Sequence, residues 1–307
     1  MNRNQEQNNY GQNPLDDESG PYGFMGFMGF PREIATGSFG AESAQIHMHL
    51  VREMQRAHEN HEFMLDYQPI YDAGPPAQPF GFEALLRWRH PELGLISPGQ
   101  FIPIAENNGM IMPLTVRILE ESANRIKLWR KLWPECYLSV NIPPLQMREE
   151  GFAALILDTL SKAGLPADAL VIEVTENGVP LEERTRATME DLVERGVRFA
   201  IDDFGTGHSS LKYLQKFPFQ ILKLDRSFIR EIPEEGRTAT IVKSILALAQ
   251  SLGLKTVAEG VETASQLSFL QEHHCDAIQG FFLAHPLSPG SISEFTQRFV
   301  AGGVRLT

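Results

Sequence analysis

The chain has 307 residues, of which 42% are apolar, and its formal net charge is −12 at pH 7. An acidic chain is a poor candidate for wrapping DNA through its phosphates, so we expect no direct DNA binding. The sequence has neither an apolar run of about 18 residues that would cross a membrane nor the apolar core of a signal peptide. Its two cysteines, Cys136 and Cys275, suggest no disulfide framework. These features predict a cytoplasmic protein.

The chain begins with a segment of biased composition. Asn and Gln dominate as far as Asn13, and a Gly/Phe/Met repeat follows over Tyr22–Phe30. Such a composition cannot bury enough apolar surface to fold alone. Residues 1–40 are therefore predicted to be a low-complexity, disordered tail. The alternative is that the repeat docks on a protein partner, on the folded domain or on a membrane surface. Residues 301–307 are predicted to be a short C-terminal tail.

Residues 41–300 are predicted to form one domain, with an N-terminal helix over Ala41–His58. Helix and strand patterns alternate strictly from Tyr137 onward, which predicts a parallel sheet, and about eight strands predict a closed α/β barrel. The predicted strands are Glu62–Pro69, Phe80–Trp88, Tyr137–Asn141, Leu170–Thr175, Val197–Asp202, Ile221–Asp225, Thr256–Glu259 and Ala277–Phe281. The predicted helices are Leu114–Leu132, Phe152–Ala163, Leu181–Arg195, Ser209–Gln215, Arg237–Leu252, Ala264–Glu272 and Ser291–Val300.

Nearly every predicted strand contains or ends in a polar residue, although buried barrel strands should be apolar. These residues are Glu83, Asn141, Glu173, Asp202 with Asp203, Lys223, Glu259 and Gln279. Any one of them could be a satisfied structural group, but such a series is better explained by convergence at the C-terminal mouth of a barrel. Several carboxylates and an amide oxygen in one place favour hard cations such as Mg²⁺ or Mn²⁺. A lone Lys among them suits contact with a nucleophilic water or a phosphate oxygen.

The adjacent acids Asp202 and Asp203 pose a geometric problem, because neighbouring side chains in a strand point to opposite sides. Both can face one site only if the backbone turns there. The alternative is an acidic loop that caps the next helix.

Several ordered motifs together resemble the EAL-domain family. They are Glu83-Ala-Leu-Leu-Arg-Trp88, Ser139-Val-Asn141, Glu173-Val-Thr-Glu176, Asp202-Asp-Phe-Gly-Thr-Gly207, Lys223-Leu-Asp-Arg-Ser-Phe228, Ala258-Glu-Gly-Val-Glu262 and Gln279-Gly-Phe281. The resemblance covers roughly Glu62–Leu287. It implies a modified TIM barrel whose first strand is antiparallel to the others. It also implies hydrolysis of cyclic di-GMP to linear 5′-pGpG with two divalent cations, Mg²⁺ or Mn²⁺, and a homodimer. Ca²⁺ is expected to inhibit, because it prefers looser, larger coordination.

The resemblance assigns a role to each matching residue. One metal would be held by Glu83, Asn141, Glu173 and Asp202. The second would lie among Asp202, Asp203 and Glu259. Lys223 would polarise the attacking water, so Lys223, Glu259 and Glu83 are the predicted catalytic residues. Predicted substrate contacts are Gln68, Arg87 and Gln279. Glu176, with Ser209, would anchor the loop after Asp203, and Asp225 and Glu262 would support the metal ligands from behind.

The sequence departs from the family pattern at His208, at Pro143-Pro144 and at His285-Pro286. None of these departures removes a metal ligand, so they affect the expected loop dynamics and substrate affinity but not the reaction class. The alternative function is a catalytically silent receptor that binds cyclic di-GMP and acts through protein partners.

Three other patterns are assigned no catalytic or binding role. His273-His274-Cys275-Asp276 lacks the paired spacing of a metal site and is better read as a helix end. His208-Ser209-Ser210 suits loop anchoring or helix capping better than nucleophilic catalysis. Gly205-Thr-Gly207 lacks the following Gly-Lys-Ser/Thr of a phosphate-binding loop.

Overall fold

The computed structural model describes residues 39–74, 78–175, 182–205, 210–232, 236–292 and 294–295. Its strands are β1 (Phe63–Asp72), β2 (Pro79–His90), β3 (Gly94–Ile96), β4 (Tyr137–Asn141), β5 (Leu170–Thr175), β6 (Arg198–Phe204), β7 (Ile221–Leu224), β8 (Lys255–Ala258) and β9 (Ala277–Ile278). Eight of them close a barrel, because β1 pairs with both β2 and β9, and β3 extends the sheet from β2. The predicted α/β barrel is confirmed.

One barrel strand runs against the others. β1 is antiparallel to both of its neighbours, whereas the pairings from β2 through β4 to β9 are parallel. The mouth of the barrel therefore lies at the C-terminal ends of seven strands and at the N-terminal end of β1. This agrees with the antiparallel first strand that the family resemblance implied.

The first of the α-helices precedes β1, and the others lie between strands. These α-helices are α1 (Phe39–Glu59), α2 (Pro98–Asn108), α3 (Ile111–Trp129), α4 (Phe152–Ala163), α5 (Glu183–Glu194), α6 (Ser210–Lys216), α7 (Arg226–Arg230), α8 (Arg237–Ser251) and α9 (Ala264–Glu272). Local sequence explains their ends. α4 ends at Gly164, whose left-handed φ of 69° suits glycine. α9 begins with a capping box between Thr263 and Gln266.

The structure contains one strand and two α-helices that the sequence patterns did not predict. β3 has three residues and α7 has five, which is too short for a periodic pattern. α2 contains Pro103 in its interior, a residue that normally argues against a helix. Most of the predicted helix Ser291–Val300, and both predicted tails except the first residues of α1, lie outside the described residues.

The lower interior of the barrel is apolar and tightly filled. Seven strands each contribute one residue that is at most 4% exposed, namely Ile70, Tyr137, Val171, Ala200, Ile221, Val257 and Ala277. The eighth strand contributes Gly81 opposite Tyr137, and a Cβ at Gly81 would lie 2.7 Å from the tyrosine ring. Glycine therefore leaves the space that the Tyr137 ring fills, and this lower layer closes the barrel at that end.

Among the described residues, no helix combines the length and the apolarity that crossing a bilayer requires.

Candidate active site

Directly above the lower layer, every barrel strand contains a polar residue or is followed immediately by one. Each lies two residues from the lower-layer residue of the same strand, in the direction of the mouth, so it faces the same interior. We call this set the polar ring: Gln68, Glu83, Ser139, Glu173, Asp202, Lys223, Glu259 and Gln279. All are buried except Glu259, whose side chain is 21% exposed. Seven were predicted site residues, and the eighth is Ser139.

Hydrogen bonds join one half of the polar ring. Asn141, at the end of β4, donates through Nδ2 to Glu83 Oε1 at 2.7 Å and to Glu173 Oε2 at 3.0 Å. Gln279 Nε2 donates to Glu83 Oε2 at 2.7 Å and to Gln68 Oε1 at 3.0 Å. Because Asn141 and Gln279 both donate to carboxylates, the orientations of their amide groups are coupled to the positions of the acids.

Lys223 lies at the centre of the acidic side chains. Its Nζ is 2.5 Å from Glu259 Oε1, 2.8 Å from Glu173 Oε2, 3.4 Å from Asp202 Oδ1 and 3.7 Å from Glu83 Oε2. The side chain is 1% exposed. Burial alone lowers the pKa of Lys223, but the four surrounding carboxylates outweigh it and hold the pKa well above its usual value. The ammonium is therefore charged.

Asp202 and Asp203 enter the site through a bulge in β6. Ile201 pairs with Leu222 and Phe204 with Leu224, so two aspartates oppose the single Lys223 of β7. Asp203 has a φ of 54°, a left-handed conformation that Asp adopts more readily than most residues. Its backbone N–H donates to Asp202 Oδ1 at 3.0 Å. Because the backbone turns at Asp203, the side chains of these two adjacent aspartates need not point to opposite sides of the strand.

Five carboxylates crowd this region: those of Asp203 and of four polar-ring acids. Burial, helped by Glu83 and opposed by Lys223, raises the pKa of Glu173 to about 8. Burial also raises the pKa of Asp203 to about 8, with Asp202 and Asp225 acting in the same direction. With one ammonium, the fully ionised group carries a net charge of −4, which two divalent cations would balance. The oxygen donor set and this excess of negative charge fit hard divalent cations.

Two of the three predicted substrate contacts, Gln68 and Arg87, lie on the β1–β2 pair, and the third, Gln279, follows β9. Gln68 pairs with Glu83 in the strand register, and its Nε2 donates to the carbonyl of Ala284 at 3.3 Å. Arg87 lies four residues beyond Glu83 on the same face of β2, and its Nε is 3.0 Å from Asp66 Oδ2. Asp66 is not among the site residues predicted from the sequence, although its position two residues before Gln68 puts it on the same face of β1.

The predicted supporting residues differ in their positions and contacts. Asp225 caps α7 by accepting a hydrogen bond from the Ser227 N–H, and its charge also raises the pKa of Asp203. Glu262 is exposed, and its backbone N–H donates to Gln266 Oε1 at 2.7 Å. Glu176 and Ser209, the predicted loop anchor, lie outside the described residues.

A second group of ligand-type side chains lies on α1 and the end of β2. The ligand atoms of His49, Glu53 and His90 all lie within 4.8 Å of one another. However, His90 Nδ1 accepts hydrogen bonds from the backbone N–H groups of Glu92 and Leu93. A neutral His90 therefore carries its proton on Nε2, the atom that faces Glu53, and a protonated nitrogen cannot bind a metal. The polar ring is the better candidate for cations.

Comparison with known proteins identifies the family. The sequence model of the EAL domain matches residues 51–286. The chain belongs to the EAL domain family. This EAL domain is 39% identical over 247 residues to the bifunctional diguanylate cyclase/cyclic di-GMP phosphodiesterase MucR of Pseudomonas aeruginosa, with coverage of 80% of the chain and 36% of the relative. It is 39% identical over 254 residues to the cyclic di-GMP phosphodiesterase NbdA of the same organism, with coverage of 82% and 32%.

Solved structures agree with this assignment. The EAL domain aligns with a PaMucR phosphodiesterase–c-di-GMP complex with a TM-score of 0.74 and 38% identity, covering 80% of this chain and 99% of the other. It aligns with the EAL enzyme Bd1971, bound to cAMP and cyclic di-GMP, with a TM-score of 0.78 and 30% identity, covering 84% and 71%. The chain spans only about a third of the length of the two curated relatives above.

Proposed function

We propose that this EAL domain is a metal-dependent phosphodiesterase that opens one phosphodiester bond of cyclic di-GMP and releases linear 5′-pGpG. The observation that carries the proposal is the polar ring at the barrel mouth, in which Lys223 Nζ lies within 4 Å of all four ring carboxylates, of which only that of Glu259 is partly exposed. The names of the relatives and the ligand in the PaMucR complex support the choice of substrate.

The residues divide between two proposed cations. Glu83, Asn141, Glu173 and Asp202 would hold the first. Asp202, Asp203 and Glu259 would hold the second. When bound, the cations supply positive charge against the anionic phosphodiester and lower the pKa of water. The raised carboxyl pKa values support this assignment, because so many carboxyl groups cannot all ionise in one place without added positive charge.

The remaining side chains act on the substrate and on the reacting water. Lys223 keeps its proton and places a fixed positive charge where negative charge develops in the transition state. The paired amides of Gln68 and Gln279 orient one another beside Glu83. Arg87 presents a guanidinium that suits bidentate contact with a phosphate. Because these groups are preorganised by the network, little reorganisation is needed during reaction.

The assay is incubation of the purified chain with cyclic di-GMP and Mn²⁺, followed by chromatography of the nucleotides. We expect pGpG to accumulate with Mn²⁺ and no turnover in EDTA. Binding of cyclic di-GMP without turnover at any Mn²⁺ or Mg²⁺ concentration would refute the enzyme and favour the receptor alternative. We also propose a homodimer, and sedimentation at several protein concentrations tests it, since a constant monomer mass would refute it.

A further inference from the structure

Ser139 occupies an interior barrel position where a bulky apolar residue is the rule. It is 1% exposed and stands opposite Glu83 in the strand register. Tyr137, two residues earlier, fills the lower layer, and Asn141, two residues later, ends the strand. A buried hydroxyl costs stability unless it is hydrogen-bonded, so its partner indicates its role.

The partner is Glu173. Ser139 Oγ donates to Glu173 Oε1 at 2.5 Å, within the range of hydrogen bonds from a hydroxyl to an oxygen acceptor. The other carboxylate oxygen, Oε2, accepts from Asn141 Nδ2 at 3.0 Å and lies 2.8 Å from Lys223 Nζ. The two oxygens of one buried carboxylate therefore have different partners, with Oε1 held by the hydroxyl and Oε2 turned to the acidic cluster.

We propose that Ser139 is a positioning residue that sets the orientation of Glu173 and so commits Oε2, rather than Oε1, to the cation. The inference rests on the proposed function, because that function makes Glu173 a metal ligand. Ser139 is hydrogen-bonded to the proposed metal ligand Glu173, and it is assigned no contact with the substrate. Hydrogen-bond partners that orient a metal ligand commonly change metal affinity 10- to 100-fold when they are removed, so a similar effect is expected here.

A purely structural serine would behave differently. If Ser139 only fills space and satisfies its own hydroxyl, its loss changes the melting temperature but leaves cation affinity unchanged. Ser122 provides a matched control, because it is also fully buried and its Oγ is hydrogen-bonded to the neutral Tyr67 hydroxyl at 3.3 Å.

The experiment measures the dissociation constant for Mn²⁺ by calorimetry on the full chain after removal of metal. We expect Ser139→Ala to weaken Mn²⁺ binding by about 10- to 100-fold, and Ser122→Ala to change it by less than about threefold. In a Glu173→Gln background, Ser139→Ala should cause no further loss, because the hydroxyl acts through that carboxylate. Ser139→Thr keeps a hydroxyl and should retain most of the affinity if it folds.

Two outcomes would overturn the inference. One is wild-type Mn²⁺ affinity in folded Ser139→Ala, and the other is an equal loss in the Glu173→Gln background. If the alanine variant does not fold, Ser139→Cys, which is similar in volume but a weak donor, carries the same comparison. A wild-type chain that binds no Mn²⁺ would instead refute the proposed function, so the two failures are distinguishable.

Discussion

Replacement of Lys223 by methionine is the sharpest test of how the metal-free site is held together. The ammonium lies within 4 Å of four carboxylates, and the side chain is 1% exposed. Removing one partner of a buried ion pair typically costs about 3–5 kcal/mol. For a domain of this size, each kcal/mol lowers the melting temperature by about 2–4 °C. We therefore expect metal-free Lys223→Met to melt about 6–20 °C below wild type.

The loss should depend on pH and on metal. Lys223 lowers the pKa of Glu173, so without it the carboxyl groups protonate more readily, and the deficit should be smaller at about pH 6 than at about pH 8. Saturating Mn²⁺ should recover part of the deficit, because a cation bound only by the folded state stabilises it. The variant should still bind cyclic di-GMP but not hydrolyse it, since the missing charge acts mainly on the transition state.

Lys255→Met is the matched control. Lys255 also forms a close ion pair, 2.6 Å from Asp276 Oδ1, but its side chain is 68% exposed. Such surface pairs are worth about 0–1 kcal/mol. The measurement is thermal denaturation of both variants after metal removal. Equal melting temperatures for Lys223→Met and Lys255→Met would refute the reasoning, and normal turnover by Lys223→Met would refute the assigned role.

Three further predictions test the metal, the charge and the packing. Glu83→Gln should abolish hydrolysis of cyclic di-GMP, and Ca²⁺ should inhibit because it prefers larger, looser coordination; full activity in EDTA would contradict the metal mechanism. Burial raises the pKa of Glu173 to about 8, so its contribution to stability is present at low pH and lost as the pH rises toward 8; a metal-free melting temperature that increases from about pH 5 to about pH 8 would argue against this. A Cβ at Gly280 would lie 2.2 Å from the Val261 carbonyl oxygen, so Gly280→Ala should lower the free energy of unfolding by about 1–3 kcal/mol. A Cβ at Gly290 would have nothing within 4 Å, so Gly290→Ala should leave that free energy nearly unchanged; denaturant titrations measure both.

Much of this architecture could be predicted because a closed barrel leaves a clear pattern in the sequence. A strand buried on both faces must be apolar, so an interior acid such as Glu173 or Glu259 stands out. The bounds of β4 and β5 were predicted to the residue for the same reason. The polar ring is this pattern repeated on each of eight strands.

The remaining features depend on pairings between distant segments. The β6 bulge is defined only by its register with β7, so the sequence could not predict whether the Asp203 side chain faces the site. The role of Ser139 was missed for a related reason. A serine in a strand is unremarkable by itself, and it becomes informative only when β5 places a carboxylate 2.5 Å from its hydroxyl. The three-residue β3 has too few residues to show any alternation.

The plugged floor of the barrel has a consequence for the order of events in a catalytic cycle. Tyr137, whose ring packs against Gly81, helps the lower layer to close one end of the barrel, so the interior is open only at the mouth. For the proposed reaction, cations, water, substrate and product would all share that opening. Cations would then have to enter before a dinucleotide covers the mouth, and they would exchange only after it departs. Linear product that remains bound would compete directly with substrate for the single opening, so product inhibition would limit turnover at high product concentration.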